Sequence, residues 1–187
     1  MAGFAGPLPD AELYLRALAV AAFCPVMQWH SEPQAGQYAF TAESRALNDR
    51  SPWNMALQTG DARVLPRYRA LTKLRMRLMD YIYEEAAHCA QSSRPLMAHL
   101  IVDFPRDANV WDIEDEYLFG RSLLAAPVLT RGARERRVYL PAGRWQELFS
   151  GAWHAGGQWI VCPCEAGGAL IFAKENHAAF YKLFQEA

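Results

Sequence analysis

The chain changes its period once. As far as about Arg94, apolar residues recur at intervals of three and four, the spacing that gives a helix one buried side. After Arg94 they come in short runs: LMAHLIVDFP, EYLFGRSLLAAPVL, RRVYLPAG, GRWQELFSG and QWIVCP, separated by glycine, proline and aspartate. Several short strands at close, regular spacing predict an antiparallel sandwich or half-sandwich. The chain is therefore expected to hold two architectures in tandem, with the boundary within residues 93–110.

The helical half has its own grammar. Asp10 stands before AELYLRALAVAAF and can accept hydrogen bonds from the free N–H groups of a first helical turn. Leu13, Ala17, Val20 and Ala21 recur at helical spacing. The following CPVMQW is too short for a helix and is bounded by Pro25, so it is expected to be a buried strand. It ends in Trp29-His30-Ser31-Glu32, which reads either as a surface loop or as the rim of a pocket. A helix followed by a strand with polar residues at its C-terminal end is the pattern of a βα barrel, whose chemistry gathers at strand ends. Residues 31–60 form a long polar connection, with Pro33, Gly36, Pro52 and Gly60 interrupting it. A connection of that length inside a compact chain is usually functional or disordered, and Tyr38, Phe40 and Trp53 argue against disorder. From Asp61 to Cys89 runs the longest helical signal. Tyr68, Leu71, Leu74, Leu78, Tyr81 and Ile82 make its apolar stripe, and Arg67, Arg69, Lys73, Arg75 and Arg77 are expected on a solvated outer face. ENHAAFYKLFQEA closes the chain as a short amphipathic helix.

Composition excludes several classes. At 187 residues there is room for one good core or two small ones. A formal net charge of -1, with 52% hydrophobic and 21% charged residues, gives no basis for a nucleic-acid or acidic-lipid partner. The arginines of 67–77 could mark a nucleic-acid helix, but Glu84 and Glu85 and the near-neutral charge favour the solvated face. No run reaches about 18 apolar residues, so no membrane-spanning helix is predicted. Six Trp and eight Tyr supply core material, and also the flat rings on which sugars stack. Cys24, Cys89, Cys162 and Cys164 are too few and scattered for a disulfide framework. Cys162-Pro163-Cys164 lacks zinc spacing, so all four are expected to be buried free thiols of a reducing, cytoplasmic compartment. His30, His88, His99, His154 and His177 show no ligand spacing, and neither metal nor cofactor is expected.

MQWHSEP, NDRSPWN and DARVLPRYRALTKLRMRLMDYIYEEA together resemble the end of the catalytic barrel of glycoside hydrolase family 31, the α-glucosidases, α-xylosidases and their relatives. RPLMAHLIVDFPRD, WDIEDEYLFGRSLLAAPVL, VYLPAGRWQELFSG and GGQWIVCP resemble that family's passage into its proximal C-terminal β-sandwich, in the same order. The resemblance runs from residue 3 to about residue 172. It implies the last strands and helices of an incomplete (β/α)8 barrel over residues 1–100, an antiparallel β-sandwich over 101–173 and a short helical tail over 174–187. It also implies a carbohydrate substrate. Gly3-Phe4 is similar to the Gly-Phe after the seventh barrel strand, whose Phe lines the pocket for the non-reducing sugar. His30 is similar to the histidine at the end of the last strand, which hydrogen-bonds hydroxyls of that sugar. A neutral imidazole both donates and accepts, as a hydroxyl does.

Family 31 hydrolases are retaining enzymes with two aspartates, one attacking the anomeric carbon and one acting as acid and then base. Such chemistry holds its carboxyl groups roughly 5–5.5 Å apart. The resemblance puts both upstream of Gly3-Phe4, so no catalytic residue is expected in this chain, Met1 is not expected to be the natural start, and these residues alone are expected to be inactive. Asp112, Glu114, Asp115 and Glu116 are instead expected to be a solvated acidic turn, and Asp103 and Asp107 turn residues. Gln28, Ala98 and His99 depart from the family's usual residues, which leaves the sugar, the linkage and the choice between hydrolysis and glycosyl transfer open. The alternative is a non-catalytic carbohydrate-binding or interaction module built from the same parts. With most barrel strands absent, the helix stripe and the strand of residues 1–92 are expected to lack their normal partners, and the chain to self-associate through exposed barrel edges.

Overall fold

A six-stranded antiparallel sheet separates the two larger of three hydrophobic clusters among the described residues. The structure, a computed structural model, describes residues 7–28, 49–165, 167–177 and 179–185. Its helices are α1 (Ala11–Ala21), α2 (Pro52–Thr59), α3 (Val64–Arg77), α4 (Met79–Ser92) and α5 (Ala179–Gln185). Its strands are β1 (Met97–His99), β2 (Tyr117–Phe119), β3 (Leu123–Ala126), β4 (Glu135–Leu140), β5 (Arg144–Glu147), β6 (Trp153–Ala155), β7 (Gln158–Pro163) and β8 (Leu170–Lys174). The large sheet runs in the order β1-β2-β3-β8-β5-β6, and β4 pairs with β7 as a separate two-stranded ribbon.

Side chains alternate across a strand, so each central strand feeds both cores. Phe119, Leu123, Ala125, Ile171 and Ala173 face the helices, where they meet Leu18, Phe23, Leu71, Leu74, Leu78 and Phe184. Leu118, Leu124, Ala126, Leu170 and Phe172 face the ribbon and meet Val138, Leu140, Cys162 and Trp145. A sheet covered on both faces reads in sequence as unbroken apolar runs rather than alternation, which is what YLF, LLAA and ALIFA display. Gly120, at the β2–β3 turn, has φ +65°, and a Cβ there would collide with the Tyr81 ring and with Glu85. Only glycine lets α4 approach that turn so closely.

The antiparallel sandwich is as expected, while no barrel strand is present among the described residues. The capped first helix is present, with the Asp10 carboxylate accepting from the Leu13 N–H at 2.8 Å. CPVMQW is not a strand where it is described: residues 22–26 form turns and bends, and 27–28 have no regular structure. A strand needs a neighbour to take its carbonyls, and here side chains take them instead. The helix expected over 61–89 is two helices that meet at Leu78, which has ψ near 0°. Neither proline nor glycine marks that break. Its stripe does find partners: Leu71, Leu74, Leu78 and Ile82 are buried against the large sheet and α1. The apolar surface that covers it comes from the sandwich and from α1.

Candidate functional site

His30 and Phe4, the two residues assigned to a sugar pocket from sequence, lie outside the described residues. What is described is the frame on either side of residues 29–48, and both feet of that segment stand on α1.

The first foot is the turn after α1. Tyr117, on β2, donates its hydroxyl to the Phe23 carbonyl at 3.1 Å. Arg75, on α3, donates to the carbonyls of Ala22 (3.1 Å), Cys24 (2.6 Å) and Pro25 (2.8 Å). The Phe23 ring stacks on Phe184 and meets the edge of Phe119, at centroid distances of 6.0 and 6.4 Å. Arg75 was expected on a solvated face but is 9% exposed. It stands four residues after Leu71, within the helix's buried stripe, so the periodicity that located the leucines also places it there.

The second foot is Asp49-Arg50-Ser51, within the NDRSPWN motif. The Asp49 carboxylate accepts from the N–H and hydroxyl of Ser51 at 2.8 and 2.7 Å. Ser51 caps α2 by accepting from the Asn54 N–H, and the Asn54 amide returns a hydrogen bond to the Asp49 carbonyl at 2.6 Å. The Arg50 carbonyl accepts from the Tyr14 hydroxyl at 3.0 Å, and its guanidinium donates to the Pro7 carbonyl at 3.1 Å. Tyr14 is fully buried, and burial pushes its phenol well above the usual range, so it serves as a neutral donor.

Several carboxylates hold the fold together. Glu85 is buried and grips Arg121, both through its guanidinium (2.9 Å) and its backbone N–H (2.9 Å), locking α4 to the β2–β3 turn. Asp103 pairs with Arg94 at 3.1 Å, and Glu147 accepts from the N–H groups of Phe149 and Ser150. Asp112, Glu114 and Asp115 are exposed, as a solvated turn requires. Glu116 is not: it is buried, accepts from the Tyr139 N–H at 2.9 Å, and has its pKa pushed up to about 7, chiefly by desolvation. The four cysteines are free, with Cys162 and Cys164 buried but Cys24 and Cys89 only half-buried. Burial raises the Cys162 thiol to about 11, so it is inert near neutral pH.

Along the described chain, a helical layer is thus followed directly by an antiparallel sheet and ribbon. Residues 1–85 match the TIM-barrel domain of the glycosyl hydrolases of family 31, and residues 93–178 match the family 31 C-terminal domain. The chain belongs to glycoside hydrolase family 31. It is 46% identical over 151 residues to the 1,3-alpha-isomaltosidase of Kribbella flavida, covering 81% of this chain and 20% of that protein. It is 40% identical over 175 residues to the isomaltosyltransferase of Sporosarcina globispora, covering 93% of this chain and 15% of that protein. Among solved structures, the cycloalternan-degrading enzyme from Trueperella pyogenes in complex with cycloalternan superimposes with a TM-score of 0.83 at 35% identity, over 92% of this chain and 23% of that one. The chain thus spans about a fifth of the length of these relatives.

Proposed function

We propose that this chain is the C-terminal part of the catalytic unit of a retaining α-glycosidase, contributing one wall of the sugar pocket through His30 and Phe4. On this reading the two catalytic aspartates lie outside these residues, and the chain by itself does not turn over substrate. Residues 1–100 are the barrel's end, 101–173 its following sandwich and 174–187 a helical tail. β1, at Met97–His99, already hydrogen-bonds into the sandwich sheet.

The substrates proposed are α-glucans that contain isomaltosyl units, cleaved by water or passed to another sugar. The observation that carries this is the level of identity, over most of the chain, to a relative named as an isomaltosidase and another named as an isomaltosyltransferase. Hydrogen bonds from His30 to the sugar's hydroxyls would strengthen as the ring flattens, and so lower the barrier rather than only bind the ground state.

The test is a substrate panel presented to the complete protein that contains this chain. Isomaltosyl units joined by α-1,3 bonds should be released or transferred faster than an α-xyloside or an α-galactoside. Equal or preferential turnover of the xyloside would refute the substrate assignment. Sugar binding with no turnover of any member would point to a non-catalytic module.

A further inference from the structure

We propose that the groove between the ribbon and the β6 edge of the large sheet binds a neutral oligosaccharide, with Arg67, Arg134 and His154 donating to its hydroxyls. That the oligosaccharide is an α-glucan rests on the function proposed above. β6 and β7 follow one another in the chain but belong to different sheets, so no ladder closes the space between them. The groove that opens there has a volume of about 790 Å³, inside the roughly 300–1,000 Å³ of ordinary ligand sites. Its floor is apolar, with Cys162, Cys164 and Leu170 all buried. Phe149 stands half-buried in its wall, and Val161 is 63% exposed.

The polar groups on this apolar ground select the ligand. His154 lies opposite Trp145 across the β5–β6 pair, and its ring packs at an angle on Phe172, with centroids 6.0 Å apart. Among the described residues, neither its imidazole nor the Arg134 guanidinium has a hydrogen bond or an ion pair. Arg67, from α3, has only Glu165, at 3.9 Å. Arg67 and Arg134 are matched by Glu147 and Glu165, so the groove is formally neutral when His154 is counted neutral. A polyanion would need an excess of positive charge there. An apolar ligand would cover the guanidinium and imidazole groups and leave them unpaired, at a desolvation cost. A sugar meets both demands. Its hydroxyls accept from the guanidinium and imidazole groups and donate to the carboxylates, while its C–H face lies on Phe149. Neither carboxylate is set for bond cleavage. Glu147 accepts from the N–H groups of Phe149 (3.1 Å) and Ser150 (2.6 Å), and the Glu165 side chain is 81% exposed. The groove therefore holds a sugar chain without cutting it.

Affinity electrophoresis of the complete protein tests this, in gels containing increasing amounts of dextran, an α-glucan rich in isomaltosyl units, with heparin gels in parallel. Dextran should retard the wild type and heparin should not. Arg134→Ala and His154→Ala should each weaken the retardation by about tenfold in apparent Kd, the scale of one lost hydrogen bond. Arg134 is exposed, so its truncation leaves the fold intact, and Arg106→Ala, an exposed arginine outside the groove, serves as the control. Wild-type mobility unchanged by dextran overturns the proposal. So does retardation that survives undiminished in both groove variants, or that weakens equally in Arg106→Ala. Retardation by heparin alone overturns it in favour of a polyanion. Dextran retention that depends on Arg134 and His154, in a protein that releases no sugar from any α-glucoside, instead refutes the proposed function and leaves the groove standing.

Discussion

Glu116 illustrates how burial decides what a residue does. It follows three exposed acidic neighbours in sequence, yet at the start of β2 its side chain turns between the sheet and the ribbon, where Tyr139 supplies one hydrogen bond. Arg136 stands 3.9 Å away, a distance that leaves desolvation the larger effect. The folded carboxyl therefore holds its proton to about pH 7, against 4.5 when unfolded. Between those values the folded state binds more protons than the unfolded one, so stability falls as pH rises. The contribution is fully present below the unfolded pKa and is lost through about pH 7. Thermal midpoints should accordingly decline from pH 5 to pH 7.5, and Glu116→Gln, which keeps the acceptor for Tyr139, should flatten that decline. A wild-type midpoint that rises over this range would contradict the assignment. At this scale the sequence was least legible. Arg75 and Glu116 are expected to face solvent because they are charged, although Arg75 shares the 3.6-residue period of Leu71, Leu78 and Ile82.

Elements were legible where local chemistry specifies them. The Asp10 cap, most of the β-runs and the tail helix follow from caps, turns and periodicity. α2 was missed inside an apparently irregular connection, although its signals are present. Ser51 is the N-cap, Pro52 occupies the first turn, and Gly60 closes the helix at φ 64°. Ser51→Ala removes the acceptor for the Asn54 N–H and should cost about 1 kcal/mol, read as a lower urea midpoint, whereas Ser51→Asp should restore most of it. Equal midpoints for all three would show that the cap contributes nothing. β8 was missed as well, although it pairs with both β3 and β5. An apolar run of five residues looks alike in a strand or a buried helix, and only its neighbours decide. The strand expected at CPVMQW failed for the converse reason. Its composition suits a strand, but strand geometry needs a ladder, and Arg75 occupies the carbonyls of Cys24 and Pro25.

For the whole molecule, the order of the motifs carried the family, the sandwich and the tandem arrangement, because these depend on the pattern of many residues rather than on any contact. How the halves join was not legible: the helix stripe packs on the sandwich's sheet, and the Tyr81, Glu85, Arg121 and Gly120 cluster bolts α4 to the β2–β3 turn. The helical layer still leaves Val26, Trp53, Leu57, Met76 and Tyr83 between 59% and 77% exposed. Such surface on a 187-residue chain is expected to drive self-association. Sedimentation velocity should show a concentration-dependent shift to larger species, and a sharp monomer at all concentrations would contradict it.

On the proposed function, these residues shape a glycosidase pocket without supplying its chemistry. Release of sugar from an isomaltosyl α-glucoside, followed by NMR for this chain and for the complete protein side by side, tests it most directly. An α-configured first product is expected from the complete protein, and no release by the isolated chain. A β-configured first product, or turnover by the 187 residues alone, would contradict it.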